Sequence, residues 1–164
     1  MEMANLKDLM IEELKDLYSA EKQITTALPK MIEAASAAEL KKAFEDHLAQ
    51  TENQIQRLDQ IFKQLEEKPG TKKCKGMEGI IADGKELLEE DADPEVLDAG
   101  LIGAAQHVEH YEIAGYGCAK TYAELLGLTE IAKLLSQTLE EEKETDAALT
   151  ELAESINVEA DKAA

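Results

Sequence analysis

Glu109 and Glu112 stand three residues apart in a series that is otherwise apolar or small: Ile102, Ala105, Glu109, Glu112, Tyr116, Ala119, Ala123, Leu126. Steps of three and four residues place all of these side chains on one stripe of a helix, and an apolar stripe faces a core. A second stripe reads Ala132, Leu135, Leu139, Glu142, Asp146, Leu149, Ala153, Ile156, again with two acids in its middle. Glu21 falls between Leu17 and Ile24 in a third, and His47, Thr51 and Gln54 follow at spacings of four and three in a fourth. Carboxylates and imidazole projecting from facing helices are the usual ligands of dinuclear iron and manganese sites. Acids gathered where water is scarce cannot all stay ionised unaided, because buried charge is costly and like charges raise one another's pKa. Glu21, Glu109, Glu112, Glu142 and Asp146 carry five negative charges, which two divalent cations would reduce to about one. A single glutamate in such a seam more often reaches out to water, and a lone histidine is as often a satisfied core residue. What sets these residues apart is their shared depth.

That depth depends on the elements that carry them. Asn5 with Asp8 three residues later marks a helix start, and the apolar series from Met10 to Met31 runs on from it, with Pro29 inside predicting a kink near Leu28. Ser36 and Glu39 form a second capping box before a helix carrying Phe44, Leu48, Ile55, Leu58, Phe62 and Leu65. Lys68-Pro-Gly-Thr-Lys-Lys73 reads as a loop, and a short helix is expected over about Met77 to Glu90. Asp93-Pro94 starts the third long helix, Gly127 ends it, and Thr129 caps a fourth that fades near Asn157. Short junctions near Ser36 and Gly127 join antiparallel neighbours, whereas the Leu65 to Asp93 connection is long. Two helical hairpins and a long crossover with its own short helix predict an all-α, ferritin-like four-helix bundle. One domain over 1–157 is expected, followed by a polar tail, 158–164. Reversal near residue 127 sets 112 level with 142 and 109 with 145 to 146, and reversal near 36 sets Glu21 level with about residue 52. If the hairpins dock in register, the polar groups of all four helices meet in one layer.

Composition narrows the partners. The chain has 164 residues, 17 Lys+Arg against 36 Asp+Glu, and a net charge of −19. Such a surface repels nucleic acid and anionic membranes, so neither is expected as a partner. No stretch approaches the roughly 18 apolar residues of a membrane span, and no secretory signal is apparent at the start. Cys74 and Cys118 form no CxxC pair and read as an exposed loop thiol and a small helical residue. A cytoplasmic protein in a reducing setting is expected. Phosphate loops, nucleophile–base–acid motifs and zinc-finger spacings are absent.

Several stretches carry a family resemblance: Asp16-Leu-Tyr-Ser-Ala-Glu21-Lys-Gln, Ala43-Phe-Glu-Asp-His47-Leu, Gln106-His-Val-Glu109-His-Tyr-Glu112-Ile-Ala-Gly-Tyr116-Gly and Thr138-Leu-Glu-Glu-Glu142-Lys-Glu-Thr-Asp146. They resemble the bacterial YciE/YciF stress-protein family over nearly the whole chain. The resemblance implies a rubrerythrin-related fold, a homodimer and a bound metal. It implies Glu21, His47, Glu109, Glu112 and Glu142 as the metal-facing set, with Gln54 and Asp146 beside them. Ferritin-like di-metal proteins usually carry Glu-x-x-His on two helices; this chain has none. A histidine-poor, oxygen-rich set shifts the balance towards harder ions such as manganese and away from ferritin-type iron oxidation.

The function expected is that of a stress protein holding two divalent metal ions, iron or manganese, with redox chemistry on a small oxidant or peroxide. The alternatives are a non-enzymatic dimeric structural or interaction protein whose metal is stabilising, and a metal buffer. Tyr18 and Tyr116, one turn from Glu21 and Glu112, are expected to pack with a hydroxyl hydrogen bond. Arg57, the only arginine, either offsets surplus acid or makes a surface ion pair. His110 points about 100° from the ligand stripe, and His107 is expected in solvent. Gly100, Gly103, Gly115 and Gly117 mark close packing within the chain or between subunits.

Overall fold

In a computed structural model the described residues are 3–163; residues 1 and 2 of the expected domain and residue 164 of the expected tail lie outside them. The described residues form α1 (Leu6–Ala34), α2 (Ala38–Gln64), α3 (Lys75–Glu89), α4 (Pro94–Leu125) and α5 (Thr129–Lys162). The pairs α1/α2 and α4/α5 are antiparallel hairpins, and the crossover between them carries α3, which lies on α4 and α1. This is the ferritin-like four-helix bundle with one long connection. No helix among the described residues is long and apolar enough to cross a membrane.

Local chemistry fixes most of the ends. The Asn5 side chain accepts from the Asp8 N–H at 3.0 Å, and the Asp8 carboxylate reaches back to the Ala4 N–H at 3.0 Å. Pro29 does not stop α1, which continues to Ala34. The expected Ser36–Glu39 capping box does not form. Ala37 occupies the cap without a side-chain bond, and Asp98 of α4 instead accepts from the Ser36 and Ala37 N–H groups at 2.8 and 2.7 Å. The α2 start is therefore capped from across the bundle. Thr129 is the first residue of α5 rather than its cap; Leu128 holds the cap position without a side-chain bond, and the helix runs past Asn157 to Lys162. Nothing in Val158-Glu-Ala-Asp-Lys162 breaks a helix.

Two helices end on the same closure. After α4, Gly127 has φ 70°, and the Gly127 and Leu128 N–H groups donate to the carbonyls of Glu124 and Ala123 at 3.1 and 2.9 Å. After α2 the same two bonds run from Glu66 and Glu67 to Lys63 and Phe62, but Glu66 takes the left-handed position at φ 56°.

Helix α3 is tied down at its start. The Cys74 N–H donates to Ser19 Oγ at 2.9 Å, Gln23 Nε2 donates to the Cys74 carbonyl at 3.0 Å, and Cys74 Sγ lies 3.0 Å from Tyr111 Oη. Cys74 is thus a buried helix cap rather than an exposed loop thiol, while Cys118 is exposed; both are free. Tyr111 fits because Gly76 leaves room: a Cβ there would lie 2.6 Å from its ring. Gly100 and Gly115 likewise let Leu87 and Leu17 approach α4, whereas Gly103 and Gly117 face open space.

The apolar core is in two parts. One is built around Leu14, Leu17, Leu58, Phe62, Tyr116 and Leu135; the other around Ile24, Leu28, Phe44, Met77, Leu101 and Leu149. Between them, at mid-height in every long helix, lies a layer of buried polar side chains.

Candidate metal centre

The layer draws Glu21 from α1, His47, Thr51 and Gln54 from α2, Glu109 and Glu112 from α4, and Glu142 from α5. All four glutamates are 0% exposed. His47, Glu109, Glu112 and Glu142 each offer one donor atom, and these four atoms lie within 4.8 Å of one another. Two ligands on opposite sides of one ion, at bonds of about 2.1 Å, would be separated by about 4.2 Å. The side chains are therefore already gathered to the dimensions of a coordination sphere.

Their hydrogen bonding is as telling as their spacing. Eleven buried side-chain atoms have no hydrogen-bond partner among the described residues, and every one belongs to this layer. They are one oxygen of Glu21, both oxygens of Glu109, Glu112 and Glu142, both nitrogens of His47, Thr51 Oγ1 and Gln54 Oε1. A buried polar atom without a partner costs on the order of 1–3 kcal/mol, and more if charged. His47 Nε2 and Glu109 Oε1 approach to 3.2 Å, but without the geometry of a hydrogen bond. Burial also pushes His47 down to about 4, so it is a neutral imidazole at pH 7 rather than an ion-pair partner. Two donor atoms at that separation suit a shared ion better than each other.

The carboxyls are driven the opposite way. Burial, then the charge of Glu142, pushes Glu21 well above the usual carboxylate range. Burial with neighbouring acids does the same to Glu109 and Glu112. Burial raises Glu142 to about 7, held there by its contacts with Glu109 and Gln54 and by Arg57. These residues fit a cation: rich in oxygen acceptors, with one neutral imidazole, and under repulsion that positive charge would relieve.

The supporting contacts are specific. Tyr116 is fully buried and donates its hydroxyl to Glu21 Oε1. Gln54 Nε2 donates to Glu141 Oε2 at 3.2 Å, which leaves Gln54 Oε1 as the unpartnered atom. Arg57 holds Glu141 in a fork at 2.8 and 2.9 Å and donates to Thr138 Oγ1 at 2.5 Å. Arg57 thus pairs with the half-buried Glu141 rather than with a carboxylate of the layer itself. Tyr18 packs edge-on against Phe62 instead of touching the layer.

Of the seven residues singled out in the sequence, six meet here. Asp146 does not. It stands at the edge, accepting from Gln106 at 3.1 Å and facing the exposed His110 at 3.2 Å, close enough only for its charge to raise Glu109. Thr51 in the layer, and Thr138 and Glu141 beside it, are missing from that set; Thr51 alone carried a signal, one turn before Gln54.

Comparison with known proteins places these residues in a wider group. Residues 5–161 match the family described as "Domain of unknown function (DUF892)". Protein YciF of Escherichia coli (strain K12) is 50% identical over 154 residues, 93% of each chain. The crystal structure of the E. coli stress protein YciF matches with a TM-score of 0.91 at 49% identity, covering 94% of this chain and 98% of that one. YcfI from Rhodopseudomonas palustris, for which a structural role is suggested, matches at 0.88 and 44% identity over 91% of this chain and 95% of its own. A protein from Xanthomonas campestris pv. campestris str. ATCC 33913, at 23% identity and a TM-score of 0.76, shares the fold over 94% of both chains.

Proposed function

We propose that this chain, which belongs to the DUF892 family of YciF-like proteins, holds two divalent metal ions, iron or manganese, in its polar layer and serves as a stress protein with redox or peroxide-related chemistry. The observation that carries this reading is the set of eleven unpartnered atoms confined to one buried layer. One ion with about six ligands would leave much of that set unsatisfied. The four fully buried carboxylates supply four negative charges, which two divalent ions would balance. Glu141 is answered by Arg57, and Asp146 stands outside beside Gln106 and His110, so neither enters that balance.

When bound, the ions would supply Lewis acidity and electron exchange toward a small oxidant. The chain's own residues do the rest. Glu109, Glu112 and Glu142 provide paired oxygens from two helices, and Glu21 adds one from a third, turned by the Tyr116 hydroxyl. His47 provides neutral nitrogen at pH 7, so no proton has to be displaced from it. The two apolar clusters above and below keep bulk water from the carboxylates.

Elemental analysis of protein purified without added metal should find close to two ions per chain, and Glu109→Gln with Glu112→Gln should abolish them while leaving the helical circular dichroism unchanged. Retained metal in that double variant would count against the ligand set. A second reading, a metal that serves stability alone, is supported by the structural role suggested for YcfI. A filled site that turns over neither peroxide nor dioxygen with any metal would favour it.

A further inference from the structure

His47 also lines a partly open cavity of about 40 Å³ walled mainly by α1, α3 and α4. Ile24, Leu28, Ala105 and Val108 form its depth, and Lys30 and Lys85 stand at its exposed rim. We propose that this cavity is a binding site for dioxygen, held against the His47 side of the metal centre. What the dioxygen is for rests on the redox reading above; that a small apolar molecule binds there does not.

Size, polarity and position all bear on the occupant. A void needs roughly 10–15 Å³ of such space to hold one water, so its depth suits a molecule of two or three atoms. Its wall offers almost nothing but carbon, with His47 the one buried polar side chain in it. A buried water needs two to four hydrogen-bond partners, so water is disfavoured here, and hydrogen peroxide would have to shed its own hydrogen bonds to enter. Dioxygen has none to lose. The space exists because small residues face each other across the α3–α4 contact: a Cβ on Gly84 would stand 3.8 Å from that of Ala104, and Ala105 lies beyond. Longer apolar side chains at those places would close it. The crossover helix is thereby given a task, forming one wall of an apolar approach to the His47 side of the centre.

Xenon, apolar and monatomic, is the probe. In xenon-pressurised crystals of the full-length, metal-free protein, one atom should occupy this cavity. Gly84→Leu should abolish that occupancy, and Gly84→Ala, whose added carbon makes only ordinary contact, should retain a folded protein with reduced occupancy. In the iron(II)-loaded protein, Gly84→Leu should slow oxidation by dioxygen by about tenfold and change oxidation by hydrogen peroxide far less. Wild-type protein that takes up no xenon there, or a filled variant that reacts with dioxygen at the wild-type rate, overturns the proposal. Loaded protein inert to both oxidants would instead overturn the redox reading, with xenon uptake still deciding the cavity.

Discussion

Among the described residues, the hydroxyl of Tyr116 gives the one hydrogen bond that any of the four buried glutamates receives, and it goes to Glu21. A bond to a charged acceptor is worth about 2 kcal/mol, and removing only the donor strands the acceptor. Tyr116→Phe is therefore expected to lower the stability of the metal-loaded protein by about that much, read from urea midpoints, and to weaken metal retention in competition with a chelator. Residue roles were legible to different depths. Glu21, Glu109, Glu112 and Glu142 could be read because each interrupts an apolar series, and interruption at matched height survives any reasonable docking of the hairpins. Asp146 misled because a step of four residues drifts about 40° around the helix; following Glu142, it ends beside Gln106 and His110. The Arg57–Glu141–Gln54 chain was illegible for another reason. It joins α2 to α5, which are not neighbours in sequence, so its register depends on how one hairpin meets the other.

Helices were read from periodicity, and their order and pairing followed from the lengths between them. Their caps were harder, because an informative one is not local. Asp98 satisfies the first N–H groups at the α2 junction from 61 and 62 residues away, which no capping-box pattern can show. Asp98→Ala leaves those donors without their carboxylate and should cost about 2 kcal/mol in chemical denaturation. Ser36→Ala, at the site where a local cap was expected, should cost far less. The α2 closure offers the reverse case. Glu66 holds φ 56° where Gly127 holds φ 70° in the same motif. A side chain in that region is strained and glycine is not, so Glu66→Gly should raise stability by about 1 kcal/mol, visible as a higher urea midpoint with unchanged slope. An unchanged or lower midpoint would mean that the Glu66 side chain contributes more than its backbone conformation loses.

At the scale of the whole molecule, a charged layer divides one core into two, and the protein's response to pH should reveal it. Glu21, Glu109, Glu112 and Glu142 all titrate above their ordinary range when folded, Glu142 near 7. Between about 4.5 and those values the chelated, folded chain binds more protons than the unfolded chain, so its stability must fall as pH rises. For Glu142 alone the loss approaches about 3 kcal/mol above pH 7. His47, lowered to about 4, acts oppositely, because below its unfolded value of 6.5 the unfolded chain is the one that takes up the proton. One histidine opposes four carboxylates up to that value, and above it no longer contributes. Chelated protein should therefore lose stability steadily from pH 5 to pH 8 in urea titrations. Manganese-loaded protein should gain over the same range, since its ligands must be deprotonated to bind. The net charge of −19 would produce a similar fall by surface repulsion alone. Salt separates the two causes: about 0.5 M screens exposed charges strongly and the buried layer little. A pH slope that survives high salt in the chelated wild type and collapses in the Glu109→Gln, Glu112→Gln variant would locate the repulsion between the two halves of the core, where the cations are proposed to sit.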